Sequence, residues 1–461
     1  MNPAIVNFEE LAIARDPDLV FGVSPRPVSC GFGLEIGAGV VYPEVNFTLP
    51  AIEITAERWA EIRRHYQEIG TGVARRAVAL QAPGIVLEFE LLPAMTETPE
   101  WGAEITSLLH GILRAAHEKH GLRSALRVTP TDIRDQAKPP LLRKGTACDA
   151  MWTCFELCAE AGADILSIES VGAKELHDHG LLYGDVPAIA AALGVLAPRD
   201  MTWLWDHIVR IARQTNGVVP GGDTACGFAN TAMQLAHQKM LPEVLAAVVR
   251  AMSAARSLVA FERGALGPSK DCAYEGPILK AITGAPISME GKSACCAHFS
   301  PVGNIAAAMC DLWSNESVQN IRLLSGNAPE AFAELLVYDC RLMNESARDN
   351  RQLVLRDWLV SSDESLSPQA ALLTPEATLR VARAIVSEPD PYRRTIAAGR
   401  TAVEILRERQ DSGRLELKTK EAAWLERLRR ELEALPDSEE ALLAQLSDEQ
   451  RALFLPASYG L

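Results

Sequence analysis

The sequence predicts an α/β protein built from repeated β/α units. Two observations carry this: from about residue 80 to 345 short apolar runs alternate with helical segments, and the runs are bounded by Gly, Pro and Ser clusters. Size is the third, since 461 residues can bury one large α/β core with additions. Such units build an open parallel sheet or a closed barrel, and either form places its site beyond the carboxyl ends of the strands.

Residues 1–80 read as an N-terminal extension. Gly31, Gly33, Gly37 and Gly39 do not fit the G-x-G-x-x-G spacing of a dinucleotide site and are read as loop, ahead of a helical stretch over 54–80. Residues 81–345 carry the β/α units, with candidate strands at 84–92, 125–133, 163–170, 216–222, 257–264 and 320–326. In ADILSIES, Ser167 and Glu169 share a face, so Glu169 ends a strand with its carboxylate on the Ser167 side. The stretch 173–215 is too long for one crossover helix and is expected to hold two or more as an insertion. Residues 346–461 form a helical region in which Trp424, Leu425, Leu428, Leu432 and Leu435 fall on one stripe, and Asp437 with Glu440 resembles a capping box.

Composition removes several classes of function. A formal charge of −15 without a compensating Lys/Arg cluster argues against nucleic-acid binding. The longest apolar run, at 188–197, is half a membrane span and reads as a buried helix, so no membrane role is expected. The opening residues carry early acidic groups and lack a basic segment followed by an apolar one, so a cytoplasmic protein is expected. Ten cysteines without a C-x-x-C pair point to reduced thiols, available as core hydrophobes or metal ligands. Gly267-Pro268-Ser269-Lys270 lacks the spacing of a nucleotide-binding loop.

Three residues share a context that suits a metal. Glu169 in LSIESVGAKE, Cys226 in PGGDTACGFANTAM and Cys272 in GPSKDCAYEGP each follow an apolar run in a Gly- or Ser-rich stretch. Two thiolates and a carboxylate leave zinc one ligand short of tetrahedral, the pattern of a catalytic rather than a structural site. A structural zinc would need a fourth ligand such as His177, His179 or Cys296. Cys154 and Cys158, four apart on a helical face, read as core, His177-Asp178-His179 as a solvated polar stretch, and the vicinal Cys295 and Cys296 as buried or redox-sensitive thiols.

The same stretches, with GLEIGAGVVYPEVNF and LEFELLPAMTETPEWG, resemble the zinc-containing methyltransferase subunit of methanol:corrinoid methyltransferase systems. The resemblance runs to about residue 345. It implies a (β/α)8 TIM-like barrel with one Zn2+ per chain held by Glu169, Cys226 and Cys272, and transfer of the methyl group of methanol to the Co(I) corrinoid of a small partner protein. It further implies a homodimer at the core of a heterotetramer. Alternatives are the same chemistry on a methyl ether, amine or thiol, or a non-catalytic corrinoid-protein binding subunit. Asp223, Asp271 and Glu275 are candidate acids for the departing oxygen, and Asn230 and Lys270 candidates to orient a ligand or substrate.

Overall fold

The computed structural model describes residues 6–49, 52–270, 272, 274–293, 300–315, 317, 322–323 and 326–461. A hairpin of β1 (Val23–Cys30) and β2 (Leu34–Ala38) precedes a parallel sheet of β3 (Tyr42–Phe47), β4 (Ile85–Glu90), β5 (Ser124–Thr129), β6 (Ile165–Ile168), β7 (Val219–Asp223), β8 (Ser288–Glu290) and β9 (Leu312–Asn315). The sheet order is β7-β6-β5-β4-β3-β9-β8, all neighbours parallel.

The sheet curls until its edges nearly meet, and residues 266–269 fill the gap. On the β7 side Leu266 N–H donates to Pro220 O at 2.8 Å and Gly267 N–H to Gly221 O at 2.9 Å. On the β8 side Ser269 makes a parallel bridge to Ile287 and donates to Pro286 O at 3.3 Å. Eight segments in chain order therefore close the ring of a TIM-like barrel. The Pro-Gly-Gly of β7 is what lets the gap close, because a Cβ on Gly222 would lie 2.9 Å from Ser269 Cα.

Three expectations about the strands and the glycine-rich stretch are corrected. The first barrel strand is β3, inside the stretch read as an extension; its Pro43 and its polar Glu44 and Asn46 disguised it, yet all six of its residues are buried. The Gly31–Gly39 stretch is mostly hairpin rather than loop. Its Val28, Cys30, Leu34 and Ile36 pack on Tyr42, Val86, Ala125, Ile165, Val219 and Leu312, all at strand starts, and so plug the amino-terminal end of the barrel. The run 257–264 is the end of helix Glu243–Glu262 rather than a strand. That helix lies between barrel and tail and is buried all round, mostly by apolar residues, so it carries no clear period by which to tell helix from strand. Among the described residues it is the one helix long and apolar enough to cross a membrane, and it is buried within the fold.

Of the candidate strand at 320–326, Arg322–Leu323 pairs antiparallel with Gly326–Asn327, and the remaining positions except 322, 323 and 326 lie outside the described residues. The 173–215 stretch holds helices Lys174–Tyr183, Val186–Ala191 and Ala197–Gln214, the last two joined by a π-helical turn. In the tail, helix Pro391–Asp411 packs along Glu243–Glu262, and Leu425, Leu428 and Leu432 of helix Thr419–Glu433 are buried as the stripe predicts. The next helix is capped by Ser438, whose hydroxyl accepts from Ala441 N–H, and not by Asp437. The capping box falls later, at Ser447 and Gln450.

Candidate metal centre

The barrel interior is polar from the middle of its strands to their carboxyl ends. Arg127 on β5 donates through Nε to Glu44 Oε1 on β3 at 2.7 Å, and through Nη1 to Ser167 Oγ on β6 at 2.9 Å and Pro268 O at 3.0 Å. Ser288 on β8 donates to the other oxygen of Glu44. Lys270, also fully buried, reaches Glu88 Oε1 at 2.9 Å, Glu90 Oε1 at 2.7 Å and Glu169 Oε1 at 3.5 Å. Buried charges persist when they are paired and hydrogen-bonded, and these pairs tie six of the eight barrel segments together.

At the carboxyl-terminal rim the chain brings Glu169, Cys226 and Cys272 together. One ligand atom from each lies within 4.8 Å of the other two, and this is the one such grouping of His, Cys, Asp and Glu among the described residues. Glu169 directly follows β6, Cys226 opens a π-helical turn (Cys226–Asn230) after β7, and Cys272 follows the segment that closes the ring. π-Helical turns recur at functional sites because they re-aim one side chain without ending the helix. Cys272 is buried, while Glu169 and Cys226 are half-buried.

The geometry suits zinc. Zn–S near 2.3 Å and Zn–O near 2.0 Å at a tetrahedral angle separate sulfur from oxygen by about 3.5 Å. Cys272 Sγ lies 3.5 Å from Glu169 Oε1. Two sulfurs also favour a borderline-soft ion over magnesium or calcium. A hydrogen bond with Cys272 pulls the Cys226 thiol down, but burial and the carboxylates of Glu169, Glu290 and Glu90 push it up to about 12. Without a cation the thiol is protonated, so a metal entering here displaces protons.

The loop bearing Glu169 is pinned from several sides. Ser170 N–H donates to Asp223 Oδ1 at 3.3 Å, Val171 N–H to Asp132 Oδ2 at 3.0 Å, and Ala173 N–H to the Tyr459 hydroxyl at 2.9 Å. Ala173 sits at φ +76°, a left-handed conformation that costs a non-glycine residue energy and is held here by these bonds. Asp132 is in turn gripped by Arg134, which also holds Asp200.

Of the candidate acids, Asp223 is committed to Ser170, Thr224, Arg256 and Trp205. Glu275 accepts from Ala225 N–H and the Ser257 hydroxyl. Asp271, Cys295 and Cys296 lie outside the described residues. Sequence reasoning missed Glu290, the last residue of β8, whose Oε1 lies 3.0 Å from Cys272 Sγ. A carboxylate ending an apolar strand is the signal that marks Glu169, but β8 is only three residues long and was not recognised. Cys154 and Cys158 are core, with sulfurs 3.9 Å apart. His177 is not solvated as expected: it is fully buried, edge-on to Phe228 at 5.0 Å between ring centroids. Neither His177 nor His179 joins the grouping.

Comparison with known proteins places these features in context. The family model described as methanol-cobalamin methyltransferase B subunit matches residues 5–460. A methanol–corrinoid protein co-methyltransferase of Methanosarcina barkeri (strain Fusaro / DSM 804) is 39% identical over 464 residues, covering 99% of this chain and 100% of the relative. The crystal structure of the methanol:cobalamin methyltransferase complex MtaBC from Methanosarcina barkeri contains a chain that superposes with a TM-score of 0.94 at 38% identity, over 98% of this chain and 99% of that one.

Proposed function

The chain belongs to the methanol-cobalamin methyltransferase B subunit family, and from that premise we propose that it moves the methyl group of methanol to the cobalt of a corrinoid protein, with zinc held by Glu169, Cys226 and Cys272. Full-length identity to a methanol–corrinoid protein co-methyltransferase carries the reaction. The three donors within 4.8 Å at the barrel mouth support the metal assignment. Zinc there would act as a Lewis acid on the alcohol oxygen, lowering the cost of breaking the C–O bond.

The chain's own residues supply the rest. Lys270 fixes the Glu169 carboxylate from one side while sharing its charge with Glu88 and Glu90 behind it. Glu290 Oε1, beside Cys272, is placed to hold a proton and release it to the departing oxygen, since hydroxide leaves poorly without one. The hairpin plug closes the opposite end of the barrel, so the corrin must approach over the mouth, and the methyl carbon must face outward.

The test is optical: anoxic protein with zinc, methanol and free cob(I)alamin, read as methylcobalamin formation. Methanol-dependent conversion is expected. Its absence with methanol, alongside conversion with a methyl ether, amine or thiol, would replace the donor. Glu290→Gln is expected to lower turnover by about 100-fold or more while leaving bound zinc near one per chain. Unchanged turnover in that variant would remove Glu290 from the proton path.

Assembly is read as a homodimer within a heterotetramer. Leu335, Tyr338 and Leu342 form an exposed stripe on helix Ala328–Arg348, with Trp358 exposed on the following helix. Asn344 of the stripe's helix hydrogen-bonds both backbone groups of Val41 just ahead of β3, so this surface lies toward the plugged end, away from where a corrin must dock. That position favours a second copy of the chain. Leu342→Glu is expected to give monomers in sedimentation velocity, and a wild-type monomer at micromolar concentration would rule the dimer out.

A further inference from the structure

Beneath Cys226 a chain of buried hydrogen bonds runs from the site into the C-terminal helical region. Asn230, four residues on along the π-helical turn, donates through Nδ2 to Cys226 Sγ at 3.6 Å. Arg250 of helix Glu243–Glu262 donates through Nη2 to Asn230 Oδ1 at 3.0 Å and through Nε to Gln369 Oε1 at 3.0 Å. Its guanidinium also lies 4.7 Å from the centroid of the Tyr274 ring, two residues past Cys272. Asn230, Arg250 and Gln369 are all buried, at 3%, 5% and 7% exposure.

The chemistry of this chain has one direction. A guanidinium can only donate, so Arg250 must face carbonyl oxygens. It therefore fixes the Asn230 amide with its oxygen inward and its NH2 toward sulfur. Gln369, on the short helix Pro368–Leu372, fixes Arg250 in the same way. The amide orientation that would otherwise be free to flip is set by residues far apart in sequence.

We propose that Asn230, held by Arg250 and Gln369, is a positioning residue for Cys226 as a metal ligand, and that the C-terminal helical region thereby sets the strength of the metal site. This rests on the reading of Glu169, Cys226 and Cys272 as ligands. An N–H···S bond orients the thiolate toward the ion, which is its contribution to affinity, and draws electron density from the sulfur, which keeps the ion electrophilic toward an alcohol and the charge-transfer band at higher energy. Partners that orient a ligand in this way typically contribute 10–100-fold to metal affinity.

The experiment uses the full-length protein loaded with Co(II), whose thiolate-to-metal charge-transfer band reports on each sulfur. Wild type is expected to bind one Co(II) with that band. Asn230→Leu is expected to shift the band to lower energy and weaken Co(II) binding by about 10-fold or more. Gln369→Leu is expected to move both readouts the same way, and Gln369→Glu, which keeps an acceptor for Arg250, to restore them. If Asn230→Leu does not fold, the two Gln369 variants carry the test, and equal behaviour of the pair overturns the proposal. An unchanged band and affinity in folded Asn230→Leu overturns it while leaving the ligand assignment standing. A wild type without the charge-transfer band overturns the ligand assignment and this proposal with it.

Discussion

Replacing Cys272 with alanine is expected to abolish methanol-dependent methylation of cobalamin and to reduce zinc affinity by more than about 100-fold, beyond what loss of an orienting partner costs. Cys272 is the best buried of the three donors and the one within reach of both Glu169 and Glu290. Its loss leaves one thiol and one carboxylate, too few for a tight zinc site at neutral pH. Acid is expected to act in the same direction. The Cys226 thiol sits at about 12 without a cation, so binding zinc displaces its proton, and affinity falls about tenfold per pH unit for each proton displaced as pH is lowered. Zinc content after gel filtration and competition with a chromophoric chelator at several pH values measure both effects. Full zinc occupancy and normal turnover in Cys272→Ala would refute the ligand assignment.

The three candidate ligands were legible because each stands in a short stretch with its own signal. A cysteine or glutamate follows an apolar run, and the glycines, prolines or serines around it mark a loop; the run is a barrel strand for Glu169 and Cys226 and the end of helix Glu243–Glu262 for Cys272. The alternation in ADILSIES puts Ser167 and Glu169 on one face, and the structure turns Ser167 into the barrel, where it meets Arg127. What stayed hidden depends on pairing across the chain. Nothing local distinguishes Leu266–Ser269 as a barrel segment, since its hydrogen bonds go to β7 on one side and to residues 286 and 287 on the other. Arg250 lies in an apolar helix, and its role appears only when Asn230 and Gln369 arrive from different parts of the sequence. His177 departs from the solvated expectation because neighbouring polar residues say nothing about a helix face covered by Phe228.

Arg127→Met is expected to cost about 3–5 kcal/mol of stability, because it removes the shared cation from a buried carboxylate pair rather than replacing the whole network. Glu44 lies 2.7 Å and Glu88 4.0 Å from Arg127 Nε, and all three side chains are excluded from solvent. Ser288 still donates to Glu44 and Lys270 still reaches Glu88, which keeps the loss below that of two stranded charges. The guanidinium also holds Pro268 O, in the segment that closes the ring and carries Cys272 four residues later. Zinc held by Cys272 would therefore brace from the rim the same closure that the guanidinium holds from within. Because a ligand that binds only the folded state adds about 2.7 kcal/mol at a free concentration of 100 times its Kd, saturating zinc is expected to recover part of the deficit. Denaturation of wild type and variant, each with and without zinc, separates the terms. A variant as stable as wild type in the metal-free state would mean that the barrel's interior charges contribute nothing to holding its mouth in shape.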